Sequence, residues 1–251
     1  MIENRENRKN RERSKNRKKR IANILIGLGF LLILIPGLLW AYATYHQWQD
    51  AKQWQAVVES SKSSETSETP ATTTTVKFAT NGNVQIEDKE TKMFADADMI
   101  KTASKLVDRS RIEEGASIAY ISIPKLDLKL NVLEGESWAN LAKGPIRVSK
   151  TARIGDGGST LISGHRTMYA APFHDLHKLA VGDEITVYTK KAVFSYTISE
   201  IQRVKPDDWS YITKAGFPQL VLSTCDPMFS AAKRLLIISK LRYAKPVKIA
   251  E

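Results

Sequence analysis

The sequence predicts an all-β domain, a closed barrel or a sandwich of about eight strands with short helices, set behind one N-terminal transmembrane helix. Three observations carry that expectation. Residues Ile21 to Ala43 contain no charged side chain; residues 59–75 contain no large apolar one; and from about Arg111 onward short β-rich runs alternate with Gly, Pro and Asp turns. A chain of 251 residues has room for one or two domains, and a hydrophobic content of 42% is ordinary for one with a packed core.

The first twenty residues, MIENRENRKNRERSKNRKKR, carry ten Lys/Arg and three Glu, so this tail supplies +7 of the formal net charge of +11. A basic excess confined to a tail argues against a nucleic-acid-binding domain and for the cytoplasmic flank of a membrane segment. The run that follows, IANILIGLGFLLILIPGLLWAYA, exceeds the roughly 18 apolar residues a spanning helix needs. Ala41-Tyr42-Ala43 has the form of a signal-peptide cleavage site, but the run is longer than the roughly 7–15 residues of a signal-peptide core. Trp40, Tyr42, Tyr45 and Trp48 suit an interfacial aromatic belt. The sequence therefore predicts a retained plasma-membrane anchor over residues 21–45, with residues 1–20 cytoplasmic and the remainder extracellular.

Beyond the anchor, HQWQDAKQWQAVVE continues the helical pattern, and ESSKSSETSETPATTTT cannot bury enough surface to offset its ordering entropy. Residues 46–110 read as an extracellular spacer and N-terminal extension, disordered over about 59–75, that holds the folded part away from the membrane. Within it VKFATNGNVQIED has room for short strands, and DADMIKTASKLVDR has helical spacing at Ile100, Ala103, Leu106 and Val107. The folded domain reads as residues 111–251. SIAYISIP, LKLNVLEG, STLISG, EITVYT, VFSYTISEIQRV, QLVLSTC and RLLIISKL are its strands, and ESWANLAKG is a short helix stopped by Gly144.

The chemistry concentrates at strand ends. STLISG delivers His165 just past one strand, QLVLSTC ends on Cys225, the only cysteine in the chain, and RLLII begins with Arg234. Strand ends form a rim that solvent and substrate can reach. The DPMFSAA turn is short enough for the last two strands to pair as a hairpin, returning Arg234 close to Cys225. Thiols react as thiolates, a form that a nearby imidazolium or guanidinium favours. Each residue taken alone has a structural reading: a buried cysteine is a small hydrophobe, a rim histidine is surface, and an arginine at a strand start partners a carboxylate. The topology shifts that balance. One exported cysteine forms no intrachain disulfide, and a free thiol in an oxidising compartment invites side reactions. His174 and His177 in FHDLHKL bring a metal site to mind, yet neither a second cysteine nor a carboxylate array accompanies them, so no metal or other cofactor is expected.

Three separated stretches resemble the sortases, membrane-anchored cysteine transpeptidases of Gram-positive surfaces. GPIRVSKTARIGDGGSTLISGHR resembles the approach to the family's catalytic histidine, PFHDLHKLAVGDEITVYT the loop and strand that follow, and LVLSTCDPMFSAAKRLLII the cysteine strand, active-site turn and arginine strand. The resemblance runs in order from about Ser117 to Tyr243 and implies a closed sortase-type barrel of about eight strands. It implies that His165, Cys225 and Arg234 are the catalytic histidine, the nucleophile and the arginine that stabilises substrate and oxyanion. It further implies an LPxTG-like sorting-signal protein as substrate, a thioacyl-enzyme intermediate, and an amine of a peptidoglycan precursor as acceptor. Residues 76–116 hold no Asp-Pro lid motif and the C-terminal residues KPVKIAE are not a membrane segment, which points away from the pilus-type enzymes; GHRTMYAAPF resembles class E sortases, with class A the other candidate. An L,D-transpeptidase would need an S-H-G-C-x-R motif, and a papain-like enzyme another order of residues. A non-catalytic anchored binding module leaves the three motifs unexplained.

Overall fold

The computed structural model of the chain describes residues 3–63, 94–212 and 216–247. Eight strands close into a barrel: β1 (Ser117–Ile123), β2 (Leu128–Glu134), β3 (Ile146–Arg147), β4 (Gly158–Ser163), β5 (Glu184–Tyr188), β6 (Ala192–Val204), β7 (Pro218–Asp226) and β8 (Lys233–Pro246). The hydrogen-bonded order is β1-β2-β3-β4-β7-β8-β6-β5, returning to β1. Closure removes the unpaired edges of an open sheet. Of the two all-β architectures the sequence allows, the barrel is the one formed. Most neighbouring strands are antiparallel, but β2 with β3 and β4 with β7 run parallel.

The strand sequences differ because their surroundings differ. Burial alternates along β5, as expected for a strand with one face on the core. In β4, β7 and β8 the apolar runs are nearly continuous, because both faces are covered. Ile162, Leu220, Leu222, Leu235 and Ile237 point into the main core with Phe173, Phe194 and Tyr196. Leu161, Val221, Leu236 and Ile238 point outward into a second cluster with Leu133, Ile146 and Val148, against which Tyr211 and Ile212 pack. The strands that carry Cys225 and Arg234, and the one that leads to His165, are thus clamped between two apolar layers.

Among the described residues three α-helices accompany the barrel. The helix α1 spans Glu3–Ser63 with Pro36 inside it, and its apolar stretch is not buried against the rest of the chain. It is long and apolar enough to cross a membrane. The short helix α2 (Ala97–Leu106) begins at Asp96, whose side chain accepts from Met99 N, and it buries Ala103 against the barrel beside β8. Its spacing is the one the sequence predicts. Finally α3 (Trp138–Lys143) is capped by Ser137, whose side chain accepts from Asn140 N, and stops at Gly144 as expected.

The spacer reading needs correction where the structure describes it. Residues 59–63 are helical, and the C-terminal part of α1 docks on the barrel instead of standing away from it. The physical reason is a matched polar and apolar face. Ala43, Trp54 and Val57 are buried, Trp54 Nε1 donates to Asn131 Oδ1 at 2.7 Å, and Gln47 bonds the backbone of Asn131 in both directions. Gly144 permits this approach, since a Cβ there would lie 1.9 Å from Gln47 Nε2. The remainder of the expected disordered stretch, and the short strands expected in VKFATNGNVQIED, lie outside the described residues.

Candidate active site

Strands β4 and β7 run parallel and in register, with Ser163 opposite Ser223. Pairing continues one step past the ladder: Gly164 N donates to Ser223 O at 3.1 Å, and Thr224 Oγ1 donates to Gly164 O at 2.8 Å. His165, two residues past β4, and Cys225, the penultimate residue of β7, therefore lie at the same level. The alternation of an extended strand turns the residues flanking them inward: Gly164, Arg166, Thr224 and Asp226 are buried, whereas His165 and Cys225 are partly exposed. Gly164 cannot carry a side chain here, because a Cβ would meet Phe173 at 2.7 Å.

On its other side β7 pairs with β8, and Cys225 lies directly opposite Arg234, as the hairpin reading requires. The guanidinium Nη1 of Arg234 donates to Cys225 Sγ at 3.6 Å and to the carbonyls of Ala231 and Lys233 at 3.3 and 3.2 Å. The turn that carries Arg234 back thus also holds its charged head over the sulfur.

His165 sits in an aromatic cage. The Trp138 ring meets it edge-on at 5.6 Å, Tyr169 lies tilted at 5.2 Å, and the two aromatics contact each other at 5.9 Å. Burial in this cage pushes the His165 pKa below its ordinary 6.5, favouring neutral imidazole. Its Nε2 is buried without a hydrogen-bond partner. Tyr169, Ala170 and Ala171 have φ of 49, 61 and 47°, three successive non-glycine residues in the left-handed region. Each such residue is disfavoured by about 1 kcal/mol or more. The loop is held by bonds from Ala171 N to Met168 O and from Phe173 N to His165 O, at 2.8 and 3.0 Å.

Beneath the rim, Arg166 pairs with Asp226 and donates to Cys225 O at 3.1 Å, while Arg203 Nε donates to Asp226 Oδ2 at 3.1 Å. Sequence reasoning singled out neither this cluster nor the cage. Its signal was adjacency, since Arg166 follows His165 and Asp226 follows Cys225. His174 and His177 are engaged elsewhere, His174 Nδ1 with Asp175 at 2.8 Å and His177 Nδ1 with His174 O at 3.2 Å.

Comparison with known proteins places this geometry. The family model described as Sortase domain matches residues 121–242, the barrel from β1 into β8. Sortase A of Bacillus anthracis is 26% identical over 151 residues, covering 60% of this chain and 70% of the relative. Sortase A of Listeria monocytogenes is 24% identical over 224 residues, covering 89% and 91%. The SrtF sortase from Corynebacterium diphtheriae superposes with a TM-score of 0.54 at 23% identity, over 57% of this chain and 93% of that one, which establishes the fold. Sequence and fold agree: residues 121–242 form a sortase domain, the barrel shared by the cysteine transpeptidases of that family.

Proposed function

We propose that this sortase is held in the plasma membrane by residues 21–45, with residues 1–20 cytoplasmic and the barrel outside, and that it attaches surface proteins to the cell wall. Its substrate is an LPxTG-like sorting signal, and its acceptor is an amine of a peptidoglycan precursor. Cys225 Sγ attacks the Thr–Gly carbonyl, the thiol proton passes through His165 to the departing amine, and the C–N bond breaks to leave a thioester. The acceptor amine then attacks that thioester, His165 takes a proton from it, and the thiol is restored. Arg234 supplies fixed positive charge where each tetrahedral oxyanion forms, a contribution of about 3–4 kcal/mol for one donor in other enzymes.

The observation that carries this reading is the register pair Cys225–Arg234, with Nη1 donating to Sγ at 3.6 Å. Two features support it. His165 is kept neutral by its aromatic surroundings, so it is free to accept a proton. Met168 and Phe229, in the turns after His165 and Cys225, are exposed apolar side chains suited to the leucine and proline of a sorting signal.

The test is a peptide-library digest by the purified full-length chain, with and without an amine acceptor. The reading expects cleavage between Thr and Gly of LPxTG-like members and an amide product that grows with amine concentration. Failure to cleave any such peptide, or hydrolysis alone whatever the amine, would refute it.

A further inference from the structure

The residues that follow His165 and Cys225 are joined to each other, and resting on the roles just given to those two, we propose that the Arg166–Asp226 pair braced by Arg203 is a positioning clamp that fixes the aim of the thiol and the imidazole. Strand alternation sends His165 and Cys225 toward the rim and their successors inward, where Arg166 and Asp226 are only 5% and 8% exposed. One guanidinium makes both connections. Arg166 Nη1 holds the Asp226 carboxylate and donates to Cys225 O at 3.1 Å, fixing the peptide plane that carries the thiol. Parallel strands β4 and β7 are thereby cross-linked at successive levels: the ladder at Ser163–Ser223, Thr224 to Gly164, and Arg166 to Cys225 and Asp226.

Net stability is a weak reason for such a pair, since replacing a buried ion pair with apolar groups is often neutral or stabilising. The neighbouring Arg147–Glu134 pair makes the contrast. There Glu134 takes two bonds from Arg147, at 2.8 Å from Nε and 2.5 Å from Nη2, and the same guanidinium donates to Thr151 O at 2.9 Å and not to the backbone of a proposed reacting residue. Arg166, by contrast, leaves its Nε without a partner. Burial pushes the Asp226 carboxyl up, but Arg166 and Arg203 outweigh it and hold the carboxyl below its ordinary range, so the pair stays ionised at neutral pH. Reacting groups misplaced by about 1 Å lose on the order of a hundredfold in rate.

The test uses the full-length chain in lipid nanodiscs with two variants. Asp226→Asn keeps the shape and removes the charge; Arg166→Lys keeps the charge and removes the fork. Both are expected to lower kcat for a sorting peptide by roughly 10- to 100-fold, with KM within about threefold and the midpoints of the kcat–pH profile unmoved, because the clamp exchanges no proton. Hydrogen exchange is expected to rise at least about tenfold at residues 164–166 and 224–226 while staying within about twofold at residues 220–222. A folded variant with near-normal kcat, a loss confined to melting temperature, a displaced pH limb, or unchanged local exchange would overturn the clamp. The exchange measurement needs no substrate. A wild-type chain that fails to acylate therefore counts against the proposed function, and the exchange result still decides for or against the clamp.

Discussion

The surface that receives α1 and the rim that carries Cys225 handle buried polar groups in opposite ways. At the docking surface every key group finds a partner within the chain. Trp54 Nε1 donates to Asn131 Oδ1 and Ser117 Oγ at 2.7 and 2.9 Å, Asn131 Nδ2 donates to Asp50 Oδ2 at 3.0 Å, and Gln47 Nε2 reaches the carbonyls of Asn131 and Lys143, each at 3.2 Å. At the rim they do not. Among the described residues, the buried side-chain polar atoms without a partner are His165 Nε2, Arg166 Nε and Ser239 Oγ, and two of those three lie on adjacent residues of the proposed site. An unmet buried group costs about 1–3 kcal/mol. Open hydrogen-bonding capacity thus gathers at and just beneath the proposed site, and complete capacity marks where the chain grips itself.

The largest difference between the two regions is expected from Arg234→Lys. If directed bonds from the guanidinium hold the oxyanion, lysine retains charge and loses the fork. Thioacyl formation in single-turnover mass spectrometry should slow by about a hundredfold or more, with the melting temperature nearly unchanged. Near-normal acylation would remove Arg234 from the site.

The docking surface should answer with stability and not with rate. Trp54 is 1% exposed, and Trp54→Ala removes a packed indole worth about 3–5 kcal/mol. Amide exchange across residues 47–58 should accelerate more than about a hundredfold, while peptide cleavage stays within about threefold of wild type. A comparable fall in cleavage would show that the dock shapes the rim as well.

The smallest effect sharpens the aromatic cage. Because the folded pKa of His165 lies below its ordinary 6.5, the neutral residue contributes stability in full above that pH, and the contribution is lost as pH falls through the depressed folded value. Trp138→Ala admits water and should move the His165 midpoint, followed by NMR, upward toward 6.5. The acid sensitivity of folding should shrink with it. An unmoved midpoint would mean that Tyr169 and the loop behind it supply the burial.

Legibility in the sequence followed contact distance along the chain. Cys225 and Arg234 lie on one hairpin, so a short turn was enough to pair them. His165 was visible as a strand end, and β4, β7 and β8 were legible as strands; that both of their faces are covered emerges only from the two apolar clusters of the folded barrel. Arg166 and Asp226 stood beside the proposed catalytic residues in plain view, yet their pairing depends on the parallel contact between β4 and β7, which no local pattern encodes. Trp138 meets His165 only because β3 returns the chain from α3 to β4. The docking of α1 was hidden for the same reason. Gln47, Asp50 and Trp54 recur at helical spacing, but their partner Asn131 lies on β2.

In the proposed mechanism Cys225 Sγ is the acylated atom. Full-length wild type mixed with an LPxTG-like peptide, quenched in acid and mapped by mass spectrometry, should carry the peptide's N-terminal fragment through Thr as a thioester on Cys225. Hydroxylamine should release that fragment, and a folded Cys225→Ala chain should carry none. A fragment found on any other residue, or undiminished peptide cleavage by Cys225→Ala, would contradict it.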